Sequence, residues 1–323
     1  MSEEGLKCGK LPHHLLEKLL ATLDTSDEEI LLGPRVGEDS AVIRWQGKLL
    51  VATSDPVTFT SDLLGWYVVM VNANDIAVMG AKPRYLLITL LLPPGCSSNL
   101  PFDIMRQAEK AARELSIKII GGHTEITPGL DRPIAMGTML GHSEDVVYPC
   151  SREGDVIGLT KGIAIEGTAI LAREFSGRLL SLGVKEEIIE KAKNFIFQPG
   201  ISVVREALLL RNYVSSMHDP TEGGLATALY ELCIANNKGA IIFEDSIPIL
   251  PECDLFCQKL GLNPLGLIAS GALLFTVPKK KLEKVSEILQ SEGIPFWEIG
   301  EIKDKDFGIK LSKKGELSTL PYF

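Results

Sequence analysis

Apolar positions along the chain recur with two periods, one close to 3.6 residues and one close to 2, and the two alternate from end to end. Residues 12–23 place Leu15, Leu16, Leu19, Leu20 and Leu23 on one helical stripe. Residues 41–45 and 49–53 read as strands joined at Gln46-Gly47, a turn pair. Trp66, Val69, Met70, Ala73 and Ala77 return to helical spacing, and Gly80 and Pro83 are the stop signals that end such a helix. The apolar run 85–92 reads as a buried strand. A helix over 102–115 and strands over 116–120 and 134–141 complete a mixed first half.

The second half repeats the mixture after a polar connection at 148–155, which sets a boundary between domains of residues 1–150 and 151–323. Strands are expected at 156–160, 240–244, 273–277, 296–302 and 307–311, and helices at 168–176, 202–211, 224–235 and 282–290. The segment from 177 to Pro199 reads as a polar stretch. The fold class is therefore α/β (α+β) in two domains.

Charge narrows the partners. The 33 basic and 42 acidic residues leave a net −9, which removes the electrostatic reason to expect nucleic acid or an anionic membrane surface. No apolar run approaches membrane-spanning length and the start has no signal-like core, so the chain is expected to be cytoplasmic, without a membrane partner. Its six cysteines are scattered and read as idle or buried thiols. Cys253 and Cys257 share a face if their segment is helical, but no histidine or second pair supports a zinc site.

Candidate chemistry gathers in five places. Asp39, Asp55 and Asp75 sit at turns, strand ends and in a helix; oxygen ligands of this kind suit Mg²⁺ together with a bound phosphate, and equally suit turn formers and a solvated helix residue. Asn72, Asn74 and Asp75 stand out because they interrupt an otherwise apolar helix, where buried polar groups need partners. Gly121-Gly122-His123-Thr124-Glu125 follows an apolar strand and reads as a turn or an anion-binding nest of amides. It matches neither dinucleotide-binding nor P-loop patterns. His218-Asp219-Pro220-Thr221-Glu222-Gly223-Gly224 opens a helix, with Thr221 as its cap or with free amides for a phosphate. Near the start stands Gly9-Lys10-Leu11.

In this order these motifs resemble the aminoimidazole ribonucleotide (AIR) synthetase-like, or PurM-like, superfamily, over nearly the whole chain. Gly37-Glu38-Asp39-Ser40-Ala41-Val42 is similar to its Gly-Asp-Asp-Ala-Ala-Val, Thr53-Ser54-Asp55 to its Thr-Thr-Asp, and Asn74-Asp75-Ile76-Ala77 with Gly80-Ala81 to its helix motif. Gly121-Gly122-His123-Thr124 resembles its Gly-Gly-acid-Thr, and Asp219-Pro220-Thr221-Glu222-Gly223-Gly224-Leu225 its C-terminal helix motif. The resemblance implies an N-terminal domain that closes a β-barrel with its copy in a homodimer, a C-terminal α/β domain beside it, and ATP with Mg²⁺ as cofactors. It implies Asp39, Asp55 and Asp75 as metal ligands; Lys10, Thr53, Asn74, Gly121, Gly122 and Thr124 about the nucleotide; and His123 and Glu125 as proton-handling groups.

Within the superfamily the run from Asn74 to Arg84 and the Gly9-Lys10-Leu11 stretch are most similar to the hydrogenase maturation factor HypE. Departures weigh against HypE's own reaction. HypE ends in a cysteine where this chain reads Leu320-Pro321-Tyr322-Phe323, with Cys8 the one thiol in a segment able to substitute. His123 replaces an acid, Glu125 a lysine, and Ala269-Ser270-Gly271 an Asn-Glu-Gly. Two readings follow: an ATP- and Mg²⁺-dependent enzyme that transfers the γ-phosphoryl group to an amide or carbonyl oxygen of a small or protein-bound acceptor, or an ATP-binding maturation or regulatory protein with little turnover.

Overall fold

The computed structural model describes residues 6, 9–38 and 40–322. Helix α1 (His13–Leu20) precedes strands β1 (Ile30–Leu32), β2 (Ala41–Trp45) and β3 (Lys48–Val57), helix α2 (Leu64–Val78), strand β4 (Lys82–Leu92), helix α3 (Leu100–Glu114), and strands β5 (Lys118–Ile126) and β6 (Ile134–Ser143). Their strands form one six-stranded sheet in the order β1-β2-β3-β6-β4-β5. All its pairs are antiparallel except β4 with β5.

The remaining elements are strand β7 (Val156–Thr160), helices α4 (Ile165–Glu174), α5 (Ser176–Ser181), α6 (Glu186–Lys193) and α7 (Val204–Leu210), strand β8 (Ser216–His218), helix α8 (Gly224–Asn236), strand β9 (Gly239–Phe243), helix α9 (Pro251–Leu260), strand β10 (Leu274–Val277), helix α10 (Lys279–Ser291) and strands β11 (Phe296–Lys303), β12 (Ile309–Lys313) and β13 (Glu316–Thr319). Here the sheet is seven-stranded, in the order β13-β12-β9-β11-β7-β10-β8. Both sheets are open, and the architecture is mixed α/β in two parts.

Helix α2 explains how the two parts meet. Every one of its residues is buried, apolar and polar alike. It lies between the first sheet, α3 and α7, so it has no solvent face and needs none of the usual amphipathic alternation. Asn72 and Asn74 answer the demand for partners within the protein. The Asn72 amide takes Asp55 N at 3.0 Å and donates to Val68 O at 2.8 Å and Asp55 O at 3.2 Å. Asn74 donates to Ile201 O at 2.9 Å and accepts from Val203 N at 2.8 Å, tying α2 to the segment that leads into α7.

Two expectations change. The run 85–92 is not buried on both faces: along β4 burial alternates, with Leu86, Ile88 and Leu90 inside and Tyr85 and Leu87 exposed. One face packs on α2, and the other, with Met136 of β6, is an apolar surface open to solvent. Gly121-Gly122 is no turn; it lies within β5, beside a register shift against Leu86 and Leu87 of β4. Its glycines have φ of 151° and 147°, and a Cβ on Gly122 would stand 1.8 Å from Ile88 O, so the bulge requires glycine as a turn would. The polar stretch before Pro199 holds α5 and α6.

Candidate functional site

Side chains alternate along β3, so Val51, Thr53, Asp55 and Val57 turn toward α2. This places Asp55 beside Asp75 in a cleft of about 590 Å³. Its walls also include Lys10 and His13 from the N-terminal segment, Arg35 and Glu38 from the loop before β2, Thr58 and Phe59 after β3, and Thr221, Glu222 and Glu231 from the second part of the chain. Thr53 Oγ1 donates to Asp75 Oδ2 at 2.8 Å, and Ser40 Oγ to Asp75 O at 3.1 Å, so both the carboxylate and its backbone are fixed.

Asp55 is held by its backbone, through the Asn72 amide described above. That arrangement requires a glycine on the neighbouring strand: Gly137 is paired with Asp55, and a Cβ there would stand 2.4 Å from Asn72 Nδ2. Asn72 therefore positions Asp55. The polar interruption of the helix signalled it in the sequence, whereas its partner on β3 was not legible.

The opposite wall is built on Glu231 of α8. This buried carboxylate receives Lys10 Nζ at 2.9 Å and lies 2.9 Å from His218 Nε2, with His13 Nε2 at 3.9 Å. Burial pushes its pKa up, but the hydrogen bond and charge of His218 and the charge of Lys10 outweigh burial and hold it at about 2. The N-terminal segment is thus locked to α8 by charge, and Lys10 meets the cleft from this wall. Arg35 donates to Glu38 Oε1 from Nε at 3.0 Å and from Nη2 at 2.7 Å. Glu231 went unnoticed in the sequence because its partners lie up to 221 residues away.

The remaining expected residues fall elsewhere. Asp39 and Cys8 lie outside the described residues. Asn74 is fully buried and makes the bonds to Ile201 and Val203, away from the cleft. Gly121, Gly122, His123, Thr124 and Glu125 lie on β5, the exposed edge of the first sheet. Asp55, Gly137, Ile88 and Gly122 form one row across that sheet, so Gly122 is three strand spacings, roughly 14 Å, from Asp55 in the same chain. On that edge His123 Nε2 and Glu125 Oε2 are 3.2 Å apart, and Thr127 Oγ1 donates to Glu125 Oε1 at 2.7 Å. The Thr127 hydrogen bond, followed by that of His123, lowers the Glu125 pKa from its ordinary value. Thr221 does not cap α8: the N-cap is Gly223, in a left-handed conformation, which frees Thr221 and Glu222 to face the cleft.

The donor set can be tested against a metal. Among the described residues no three His, Cys, Asp or Glu side chains converge as an enclosing cage. Two carboxylates on one cleft, with solvent access, leave the remaining positions to water and phosphate, the manner in which Mg²⁺ is usually held. The residues present fit that ion.

An open mixed sheet packed through one wholly buried helix onto a second mixed sheet, with acids of both parts lining the cleft between them, defines a two-domain PurM-like protein. Residues 37–143 match the N-terminal domain of AIR synthase related proteins and residues 152–311 their C-terminal domain. The chain belongs to the AIR synthase related family. It is 32% identical over 294 residues to a protein of Methanocaldococcus jannaschii named for hydrogenase expression and formation, covering 87% of this chain and 84% of that one. It is 26% identical over 299 residues to the thiamine-monophosphate kinase of Pyrococcus horikoshii, covering 88% of each. In fold it is similar to the crystal structure of the hydrogenase maturation protein HypE in complex with ATP, with a TM-score of 0.71 and 23% identity over 94% of this chain and 89% of that one.

Proposed function

We propose that the chain is an ATP- and Mg²⁺-dependent enzyme that transfers the γ-phosphoryl group to an oxygen of a small or protein-bound acceptor. The observation that carries this reading is the cleft where Asp55 and Asp75, each fixed by its own hydrogen bonds, face Lys10 and Arg35. Carboxylates alone repel a polyphosphate, and cations alone would need no carboxylates. The combination suits a polyphosphate that arrives with its metal. Asp55 and Asp75 would hold Mg²⁺, with Asp39 adjacent in sequence to the Glu38 wall, and Lys10 and Arg35 would meet phosphate oxygens. Leu11, Leu16, Val36 and Phe59 give the same cleft an apolar side for a base.

Held by Asp55 and Asp75, Mg²⁺ would supply the positive charge that offsets the polyphosphate and the leaving oxygen. What remains for the protein is alignment of acceptor and phosphoryl group and removal of a proton, so the transfer requires no protein nucleophile. A HypE bound to ATP among the similar structures, and a thiamine-monophosphate kinase among the relatives, support the nucleotide.

The reading extends to a homodimer built through the first sheet. The exposed apolar side chains Tyr85, Leu87 and Met136 on its outer face, and an uncovered edge at β5, are surfaces that a second copy would bury. Calorimetric titration tests the central step: one Mg·ATP per chain with affinity lost on chelating the metal is expected, and no binding with or without Mg²⁺ overturns it.

A further inference from the structure

Two segments far apart in sequence meet on helix α8 beside the cleft. Helix α1 has eight residues, none of them buried, and a helix so short does not persist alone in water, so it keeps its place through what it is tied to. Among the described residues, two side chains of the segment 9–20 hydrogen-bond outside it: Lys10, to Glu231 at 2.9 Å, and His13, whose Nε2 lies 3.2 Å from the Tyr322 hydroxyl. Lys10 and His13 are three positions apart, so whatever fixes His13 also fixes the reach of Lys10. Both line the cleft that holds Asp55 and Asp75, and Tyr322 lies outside it.

Tyr322 is held on the body of the protein from its other side. Its ring stands edge-to-face between two others, His13 at a centroid distance of 5.4 Å and 74°, and Tyr230 of α8 at 5.3 Å and 83°. Tyr230 is the neighbour of Glu231 on α8, and its hydroxyl donates to Leu320 O at 2.7 Å. Leu320 is buried in the apolar core of the second part, and its N–H donates to Ile309 O at 3.2 Å. The stretch after β13 is thus anchored, and the ring that follows it bridges α8 to the N-terminal segment. At 51% exposure Tyr322 adds little to the core; what it does is touch His13 and Tyr230.

The two ties of the N-terminal segment differ in one respect. An ammonium that turns to a phosphate oxygen loosens its hold on a carboxylate, so a polyphosphate in the cleft competes with Glu231 for Lys10. The contact of His13 with Tyr322 involves no charge that the ligand could claim, and it is the tie that remains. Resting on the nucleotide binding proposed above, we propose that Tyr322 is a positioning residue for the polyphosphate: it pins His13 to α8 and so keeps Lys10 at the cleft while Lys10 exchanges Glu231 for phosphate oxygens. Tyr322 touches no part of the ligand. It sets the fraction of chains whose segment is docked, and apparent affinity scales with that fraction. Ring contacts carry the effect, since both neighbours meet Tyr322 edge-to-face.

Calorimetric titration with Mg·ATP and amide hydrogen exchange, both on the full chain, test this. Tyr322→Ala should weaken Mg·ATP binding about 10-fold, as the loss of two aromatic contacts allows. It should also speed exchange at residues 15–21, whose amides are bonded within and at the ends of α1, while α8 keeps its protection. Tyr322→Phe retains both ring contacts and should stay within about 2-fold of the natural affinity. In a Lys10→Ala background, itself weakened, Tyr322→Ala should lose no further affinity, because no ammonium is left to position. The proposal is overturned if Tyr322→Ala leaves the affinity or the exchange at 15–21 unchanged, if α8 loses protection to the same extent, if Tyr322→Phe falls as far as Tyr322→Ala, or if the loss persists undiminished beside Lys10→Ala. A natural protein that binds no Mg·ATP overturns the proposed function instead, and exchange at 15–21 then decides alone whether Tyr322 pins the segment.

Discussion

Helix α2 and strand β5 both carry residues that the sequence marks as functional, and their surroundings are opposite. Every residue of α2 is buried, and its polar side chains are held by named partners: Asp75 by Thr53 and Asn72 by the backbone of Asp55 at the site, and Asn74 by Ile201 and Val203 away from it. Strand β5 is exposed along eight of its nine residues, and among the described residues the His123 side chain hydrogen-bonds only with Glu125, two positions along the same strand. A site built on α2 is organised before any ligand arrives, so binding there loses little to ordering. Residues on β5 gain fixed surroundings only when another surface covers that edge. The chain alone therefore holds Asp55 and Asp75 in place for the proposed metal, and the proposed dimer is what would bring β5 into use.

This contrast can be broken by changing each region separately. The largest effect is expected on assembly: Leu87→Lys with Met136→Lys, both on the outer face of the first sheet, should convert a dimer to a species near 35.2 kDa in light scattering while the folded chain still binds Mg·ATP. A natural protein already at that mass removes the dimer from the account. Asp75→Asn should weaken Mg·ATP binding on the order of 10–100-fold, because it removes a charge from a metal held by few protein groups. His123→Ala in the monomeric variant should leave the affinity unchanged, and an equal loss from both substitutions would erase the distinction between α2 and β5.

A smaller effect concerns the cleft wall without ligand. Glu231 is held at about 2 in the folded chain against an ordinary value of 4.5. Its ionised form is thus favoured by folding; the stability it contributes is complete above about 4.5 and is lost as pH falls toward about 2. The difference corresponds to up to about 3 kcal/mol. Glu231→Gln should lose that amount in denaturant unfolding at neutral pH and converge with the natural protein in acid. A constant gap between the two at every pH would show that the wall is not held by charge.

Much of this was legible in sequence, and the illegible parts share a cause. The helical stripe of α2 and the polar interruption by Asn72, Asn74 and Asp75 announced a buried helix with demands to satisfy, but the partners of Asn74 lie 127 and 129 residues on, where periodicity says nothing. Paired glycines signal a left-handed backbone, which a turn and a β-bulge both use, so Gly121-Gly122 predicted the wrong one of the two. An unbroken apolar run does not say which of its faces is covered, and the two faces of β4 turn out to differ. The buried Glu166 of α4 carried no signal at all. It sits in a helix start as any surface glutamate does, and becomes buried through Ser270, more than one hundred residues away. The departure of Ala269-Ser270-Gly271 from its family pattern was visible; that a carboxyl group from α4 occupies its neighbourhood was not.

The central claim is that the nucleotide's metal sits against Asp55 and Asp75 on the buried side of the first sheet. Crystals grown with Mn²⁺ and a non-hydrolysable ATP analogue test it directly, since the anomalous signal of Mn²⁺ marks the ion itself. The account predicts a peak within about 2.0–2.3 Å of carboxylate oxygens of Asp55 and Asp75, with analogue phosphates completing its shell and Lys10 turned toward them. A metal bound along Gly121–Glu125 and distant from both aspartates would contradict it.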